Sequence, residues 1–245
     1  MAAVGADADG QLIIDDFVKA GVSVDFLESI PGFATPFTIP LIEPSGERSI
    51  LLMRNLAQGY NRETALRAIP QARAFYMMPS PVPTFAEFAQ IAHDSGTLVM
   101  VDIEPTTLPD RKTLDYVLSL TDIASFNRRG FAFLTHEDEP TFENMRPLLD
   151  LGPHTLIVTR DKDGAIAVTK DEQAEVPGHA VNVVDTTGAG DTFNAGFLAG
   201  TLKGWPLPER VRFANAAASI SVTGLGPRGH LPTTNEVLEF LKTHP

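Results

Sequence analysis

Hydrophobic positions along this chain recur at two alternating periods. Leu12, Ile13, Asp16, Phe17 and Ala20 share one side at helical spacing, and Gly21 supplies a stop, so a helix is predicted from Leu12 to Ala20. Val22 to Phe26 alternates like a strand. Two short apolar runs, Phe37 to Leu41 and Ser49 to Met53, flank the polar stretch 43–47 and predict a hairpin. The pattern then predicts a helix over 62–68, a buried strand over 74–78 and a helix over 84–95. Thr84 and Glu87 form the capping box of that helix. A strand over 98–103, a helix over 111–120 and a short strand over 121–125 come next. A helix over 141–151, a strand over 155–159 and an edge hairpin of 165–169 with 173–176 follow. Helices after Gly190, after Pro208 and from Thr234 to Lys242 close the chain. Strands alternating with helices predict an α/β fold, a mostly parallel sheet covered on both faces.

Composition narrows the function. The chain has 245 residues, enough for one sizeable α/β domain with a small appendage. With 19 Lys and Arg against 31 Asp and Glu, the formal charge is −12, which argues against a nucleic-acid partner. The absence of cysteine excludes disulfides and thiolate metal sites, and fits a cytoplasmic protein. No apolar run is long enough to span a bilayer, and the N-terminus does not read as a signal peptide.

Chemistry concentrates in Val184-Asp185-Thr186-Thr187-Gly188-Ala189-Gly190-Asp191-Thr192-Phe193. An apolar, strand-like lead (Val181, Val183, Val184) enters a small turn, and a helix opens with Asp191 in its first turn. The amides of Gly188, Ala189 and Gly190 at a helix N-terminus suit an anion. A carboxylate beside a held phosphate can take the proton of an attacking hydroxyl. The plainer alternative is a capped helix with Asp191 on its dipole.

This decapeptide resembles the signature of the ribokinase, or PfkB-type, carbohydrate kinases. Val4-Gly5-Ala6-Asp7-Ala8-Asp9-Gly10, Gly46-Glu47-Arg48-Ser49 and Gly229-His230-Leu231-Pro232-Thr233 resemble further family segments. The resemblance implies a ribokinase-like doubly wound sheet with a small β lid hairpin. It divides the chain into 1–32, the start of the α/β domain, 33–57, the lid, and 58–245, the nucleotide-binding part. The family's first strand and its glycine-rich sugar segment have no counterpart, so an N-terminally truncated member is expected. The lid of such kinases often pairs between subunits, so a homodimer is expected.

The resemblance also distributes roles. Asp191 becomes the catalytic base, and Gly188, Ala189 and Gly190 the anion hole. Asn127 stands at the asparagine of an Asn-x-x-Glu motif near phosphates and metal-bound water, but Gly130 replaces the glutamate. Arg128 and Arg129 offer either a phosphate contact or a solvated basic pair. Thr159 and Gly164 belong to a nucleotide loop that carries Asp161 where glycine is usual. Asn215 lies near the adenine, or faces backbone at a helix contact. Asp185, Thr187, Ser221, Gly224, Gly226 and His230 match a monovalent-cation site, with oxygen donors suited to K⁺. The other histidines, at 93, 136, 154, 179 and 244, show no metal-ligand spacing and read as surface or loop residues. Gly196 and Gly200 read as close helix–sheet packing, and Val101-Asp102-Ile103-Glu104 as a ligand-facing strand end.

The expected function is ATP- and Mg²⁺-dependent phosphorylation of a sugar or polyol hydroxyl. Alternatives are a non-catalytic nucleotide- or sugar-binding protein and a nucleoside kinase.

Overall fold

The computed structural model describes residues 1–42, 48–53 and 61–244. The chain divides into two compact units, Met1–Gln71 and Ala72–Pro245.

The first unit opens with a βαβ element. Strand β1 (Ala2–Gly5) pairs in parallel with β2 (Leu27–Ile30) across helix α1 (Ala8–Lys19). Helix α1 starts earlier than its apolar pattern predicts, because Asp7 caps it. Asp7 Oδ1 accepts the Gly10 amide at 2.8 Å, and Oδ2 accepts the Thr35 amide at 2.8 Å. Thr35 Oγ1 in turn accepts the Gly5 amide at 3.0 Å. A side chain at Gly10 would run into Gly5 O and lie 2.9 Å from Thr35 Oγ1, which explains that glycine. The strand predicted over 22–26 is a turn: the Leu27 amide closes onto Val24 O at 3.0 Å, and the strand begins after it. Strands β3 (Phe37–Ile42) and β4 (Arg48–Met53) form the predicted antiparallel hairpin, with Phe37 opposite Met53 and Ile39 opposite Leu51. The turn expected over 43–47 lies outside the described residues. Phe37, Ile39, Leu41, Leu51 and Met53 are all exposed. Helix α2 (Arg62–Ala68) is capped by Asn61.

The second unit carries the main sheet. Among its described residues, strand order is β10-β9-β8-β7-β6-β5. Strands β5 (Ala74–Met77), β6 (Leu98–Ile103), β7 (Ile123–Asn127) and β8 (Thr155–Thr159) run parallel. Strands β9 (Ala165–Val168) and β10 (Gln173–Val176) continue antiparallel. The central strands are apolar and buried almost throughout, as a sheet covered on both faces requires. Met100, Ile123 and Ile157 pack with Phe193 and Phe197 of α7 (Ala189–Leu202) and with Leu207, Val211 and Ala214 of α8 (Leu207–Ser221). Helices α3 (Val82–Asp94), α5 (Arg128–Thr135) and α6 (Phe142–Leu149) contact the same strands, whose alternate residues point to the other face. Helix α4 (Arg111–Leu118) joins β6 to β7, and α9 (Thr234–Thr243) packs Val237 against α8.

Several local expectations change. Strand β5 ends the sheet and is only partly buried, with Tyr76 36% exposed. Helix α3 begins after Pro81 with no side-chain cap, so Thr84 lies inside its first turn. Prolines there fix φ for helix entry without needing a cap. The stretch 181–184 is not a strand; Val184 and Asp185 amides both donate to Val222 O, at 2.8 and 3.2 Å. Gly196 and Gly200 serve a helix–helix contact: side chains there would lie 3.1 Å from Ala214 Cα and 3.0 Å from the Trp205 ring. Among the described residues no helix is long and apolar enough to cross a membrane.

Candidate active site

Carboxyl ends of parallel strands are where open α/β sheets bind ligands. In the second unit the ends of β6, β7 and β8 meet the start of α7 around a cleft of about 650 Å³. Asp102, Glu104, Asn127, Thr159, Gly164, Gly190 and Asn215 all line it.

Helix α7 begins without a side-chain cap. Its N-cap, Gly188, takes a left-handed conformation with φ 82°, which glycine adopts without strain. The first amides of a helix have no intrahelical acceptor. The Ala189 amide turns back to Thr186 O at 3.2 Å, which leaves those of Gly188 and Gly190. A side chain at Gly190 would meet nothing within 4 Å, so the space above this turn is open. The Asp191 carboxylate lies at solvent-accessible surface, yet partial burial against the site raises its pKa above the usual aspartate range.

The approach to this turn is braced. Asp185 Oδ1 accepts the Thr187 amide and hydroxyl at 2.9 and 2.7 Å, and Oδ2 accepts the Gly226 amide at 3.0 Å. The structure thus gathers Asp185, Thr187 and Gly226. The Ser221 hydroxyl donates to Ala218 O, and the Gly224 amide to Ser221 O. His230 pairs through Nδ1 with the Thr223 hydroxyl at 2.9 Å and approaches Glu236 at 3.9 Å.

On the opposite wall, Asn127 caps α5 by accepting the Gly130 amide at 2.7 Å. The sequence pattern left α5 as loop, although an asparagine cap and the buried pair Phe131 and Leu134 signal it. A side chain at Gly130 would lie 2.6 Å from Ile103 O and 3.2 Å from Glu104 Cα. The β6 end therefore fills the space where a glutamate would start. Arg128 is no free cation: Nη2 pairs with Asp163 at 2.8 Å and Nε approaches Glu139 at 3.4 Å. Thr159 closes β8 and donates to Phe126 O at 3.3 Å. Asp161 follows with φ 52°, the left-handed region where glycine is the easy choice. Gly164, at φ 84°, packs against the 176–178 backbone; a side chain would lie 2.5 Å from the Gly178 nitrogen. Asn215 is 5% exposed, and its amide donates to Val176 O at 2.9 Å and Pro177 O at 3.2 Å.

The strand end read from the sequence as ligand-facing lines the cleft with Asp102 and Glu104, whereas their neighbours Tyr76, Ser125 and Asn194 escape a reading of the sequence. Asp102 is pushed up to about 6, first by burial and then by the charge of Glu104, against a stabilising bond from Tyr76. Tyr76 OH donates to Asp102 Oδ2 at 3.2 Å. Burial and the Asp102 charge hold the Tyr76 phenol far above its ordinary range. Buried Asn194 donates to Tyr76 OH at 3.2 Å and accepts from the Ser125 hydroxyl at 2.7 Å. His179, read from the sequence as a surface or loop residue, lies in a loop of the cleft wall with its ring edge-on to Phe240 at 5.1 Å, and its Nε2 is buried without a hydrogen-bond partner among the described residues. The arrival of α9 accounts for this.

A cleft lined by both carboxylates and cations, with open amides at a helix start, fits phosphoryl chemistry, and comparisons with known proteins agree. The pfkB family of carbohydrate kinases matches residues 1–234. Ribokinase of Haemophilus influenzae is 28% identical over 98% of this chain and 79% of its own length. A putative ribokinase II from E. coli, in its apo form, superposes with TM-score 0.87 at 25% identity, over 100% of this chain and 83% of the other. Arabidopsis thaliana ribokinase complexed with ribose and ATP superposes with TM-score 0.85 at 26% identity, over 99% and 81%. The fold is ribokinase-like, and this chain belongs to the pfkB family as a carbohydrate kinase.

Proposed function

We propose that the enzyme transfers the γ-phosphoryl group of ATP to a hydroxyl of a sugar or polyol, with Asp191 as general base. The observation that carries this reading is the start of α7. Ala189 and Gly190 line the open cleft at a helix start with unsatisfied amides, and next to them in the first turn stands the Asp191 carboxylate, without a hydrogen-bond partner among the described residues. The Gly188 and Gly190 amides, with Ala189 between them, would hold charge on the transferring group while Asp191 accepts the hydroxyl proton. Asn127, Thr159, Gly164 and Asn215 would border the nucleotide. The relatives named ribokinase, and the Arabidopsis enzyme crystallised with ribose and ATP, support a pentose-like acceptor.

Mg²⁺ fits the donor set. It is commonly held by one or two carboxylates together with substrate phosphates. Asp102 and Glu104 supply hard oxygen donors in the cleft beside Asn127, where Gly130 leaves no side chain. When bound, the ion would neutralise phosphate charge. The loops of Asp185, Thr187, Ser221, Gly224, Gly226 and His230 are the proposed seat of K⁺. Residues 58–245 are assigned the nucleotide-binding part, 33–57 the lid and 1–32 the start of the α/β domain. The exposed apolar hairpin supports a homodimer, and the cysteine-free chain a cytoplasmic location.

The test is ADP release from ATP·Mg²⁺ across a panel of pentoses, hexoses, polyols and nucleosides. Turnover with a sugar or polyol and none with nucleosides bears the reading out. ATP binding without turnover on any acceptor overturns it in favour of a binding protein, and turnover confined to nucleosides moves it to that class.

A further inference from the structure

On the proposed reading helix α7 must hold Asp191 beside the cleft that Ala189 and Gly190 line, and although the approach to the helix is braced, no side chain caps the helix itself. Gly188 offers no side-chain cap, and the Asp191 carboxylate makes no hydrogen bond among the described residues. The buried face of α7 is otherwise Phe193, Gly196, Phe197 and Gly200. Apolar contacts of that kind are not directional, so they leave rotation and sliding of the helix weakly specified.

One buried residue of this face is polar. Asn194 is 3% exposed and sits three residues after Asp191, about 4.5 Å further along the axis and on nearly the same side. Both ends of its amide are used. Oδ1 accepts from Ser125 on β7 at 2.7 Å, and Nδ2 donates to Tyr76 OH on β5 at 3.2 Å. Tyr76 passes the connection to Asp102 on β6 at 3.2 Å. A single helical side chain thus joins the first turns of α7 to β7 and β5, the two strands that flank β6.

We propose that Asn194, through its bonds to Ser125 and Tyr76, is a positioning residue that sets the direction of the Asp191 carboxylate. The proposal rests on the reading of Asp191 as the base. Hydrogen bonds are steep in distance and angle, so they can fix what apolar packing leaves loose. A displacement of about 1 Å at a reacting group can cost roughly 10²-fold in rate. The other end of the chain of bonds, Asp102, lines the cleft, so the carboxylate wall and the base share one frame.

The experiment is a kinetic cycle at saturating ATP and sugar, with ATP affinity read by calorimetry and folding by thermal melts. Asn194→Ala should lower kcat by about 10²-fold and leave ATP affinity within about twofold. Tyr76→Phe, which removes one hydroxyl and keeps the ring, should lower kcat by a smaller factor. In the Asp191→Asn background, neither change should lower the residual turnover further. Equal fractional losses in both backgrounds would overturn the proposal, because Asn194 would then act without Asp191. Unchanged kcat per folded molecule in both single variants, beside a lowered melting temperature, would overturn it as well. Wild-type turnover in Asp191→Asn alone would remove the base assignment and the positioning role with it. Where Asn194→Ala does not fold, Tyr76→Phe carries the same cycle.

Discussion

Asp185 and Gly226 are bonded across the start of helix α7: Asp185 Oδ2 accepts the Gly226 amide at 3.0 Å, while Oδ1 holds Thr187. One carboxylate thereby ties the approach to α7 to the loop after α8. Asp185→Ala removes three acceptor contacts at once. Bonds to charged groups contribute about 1.5–3 kcal/mol each at most, and this site is partly exposed. We expect a total loss of roughly 2–3 kcal/mol in urea unfolding. A variant within about 0.5 kcal/mol of wild type, the usual range for surface changes, would show that the loop holds itself.

Asp191→Asn separates chemistry from stability. The asparagine keeps the size but cannot take a proton, so kcat should fall by roughly 10²–10⁴ with ATP affinity unchanged. Burial raises the Asp191 pKa, so the folded state prefers its neutral form and is penalised as pH rises through that pKa. The same substitution should therefore raise the melting temperature slightly at neutral pH. If Asp191 is the base, turnover needs its ionised form and should decline on the acid side at a pH above the ordinary aspartate value of about 3.9. A lowered melting temperature would contradict the burial account.

The signature turn was legible because its chemistry is local: glycines, a following aspartate and an apolar helix face lie within ten residues of chain. The buried central strands were legible for the same reason, as short apolar runs such as 156–158 between flanking threonines. What escaped depends on strand order. Asn194 meets Tyr76 across a separation of 118 residues and Ser125 across 69, and no local pattern encodes either pairing. The turn at 22–26 looked like a strand because alternation does not register the Val24–Leu27 closure. Asp161 was visible as a departure from glycine, but its cost became clear only from its left-handed backbone.

That backbone makes Asp161 a site for improvement. A non-glycine residue in this region is strained by roughly 1–2 kcal/mol, partly offset by the greater unfolded-state entropy of glycine. Asp161→Gly should change stability by less than about 1 kcal/mol, on the favourable side. It also removes a negative charge beside the proposed triphosphate, so ATP should bind several-fold tighter, and more so at low salt. Asp161→Asn keeps the side chain and removes only the charge. If Asp161→Asn leaves ATP affinity and its salt dependence untouched, Asp161 does not face the nucleotide.

His179 predicts an acid sensitivity of the C-terminal helix. Burial, then the nearby His244 and Arg212, lower its pKa in the folded state. A histidine depressed in this way stabilises the fold above its unfolded pKa, about 6.5, and that contribution is lost as pH falls below it. Melting temperature should therefore drop between about pH 6.5 and 5 more steeply in wild type than in His179→Phe, which keeps a ring against Phe240. Parallel profiles for the two proteins would show that His179 does not titrate in this window.

The hairpin gives the last prediction. Phe37, Ile39, Leu41, Leu51 and Met53 are each at least 40% exposed, an apolar face wider than a solitary two-stranded ribbon keeps in water. A second copy of the same hairpin would cover it by a self-complementary contact. Ile39 and Leu51 are direct cross-strand partners, so Ile39→Glu with Leu51→Lys replaces an apolar pair by an ion pair in the same register. The hairpin should persist while the apolar face is broken. Sedimentation should give a dimer for the wild-type chain and a monomer for the double variant. A wild-type monomer at micromolar concentration, or a dimer indifferent to both substitutions, would remove the hairpin as the subunit contact.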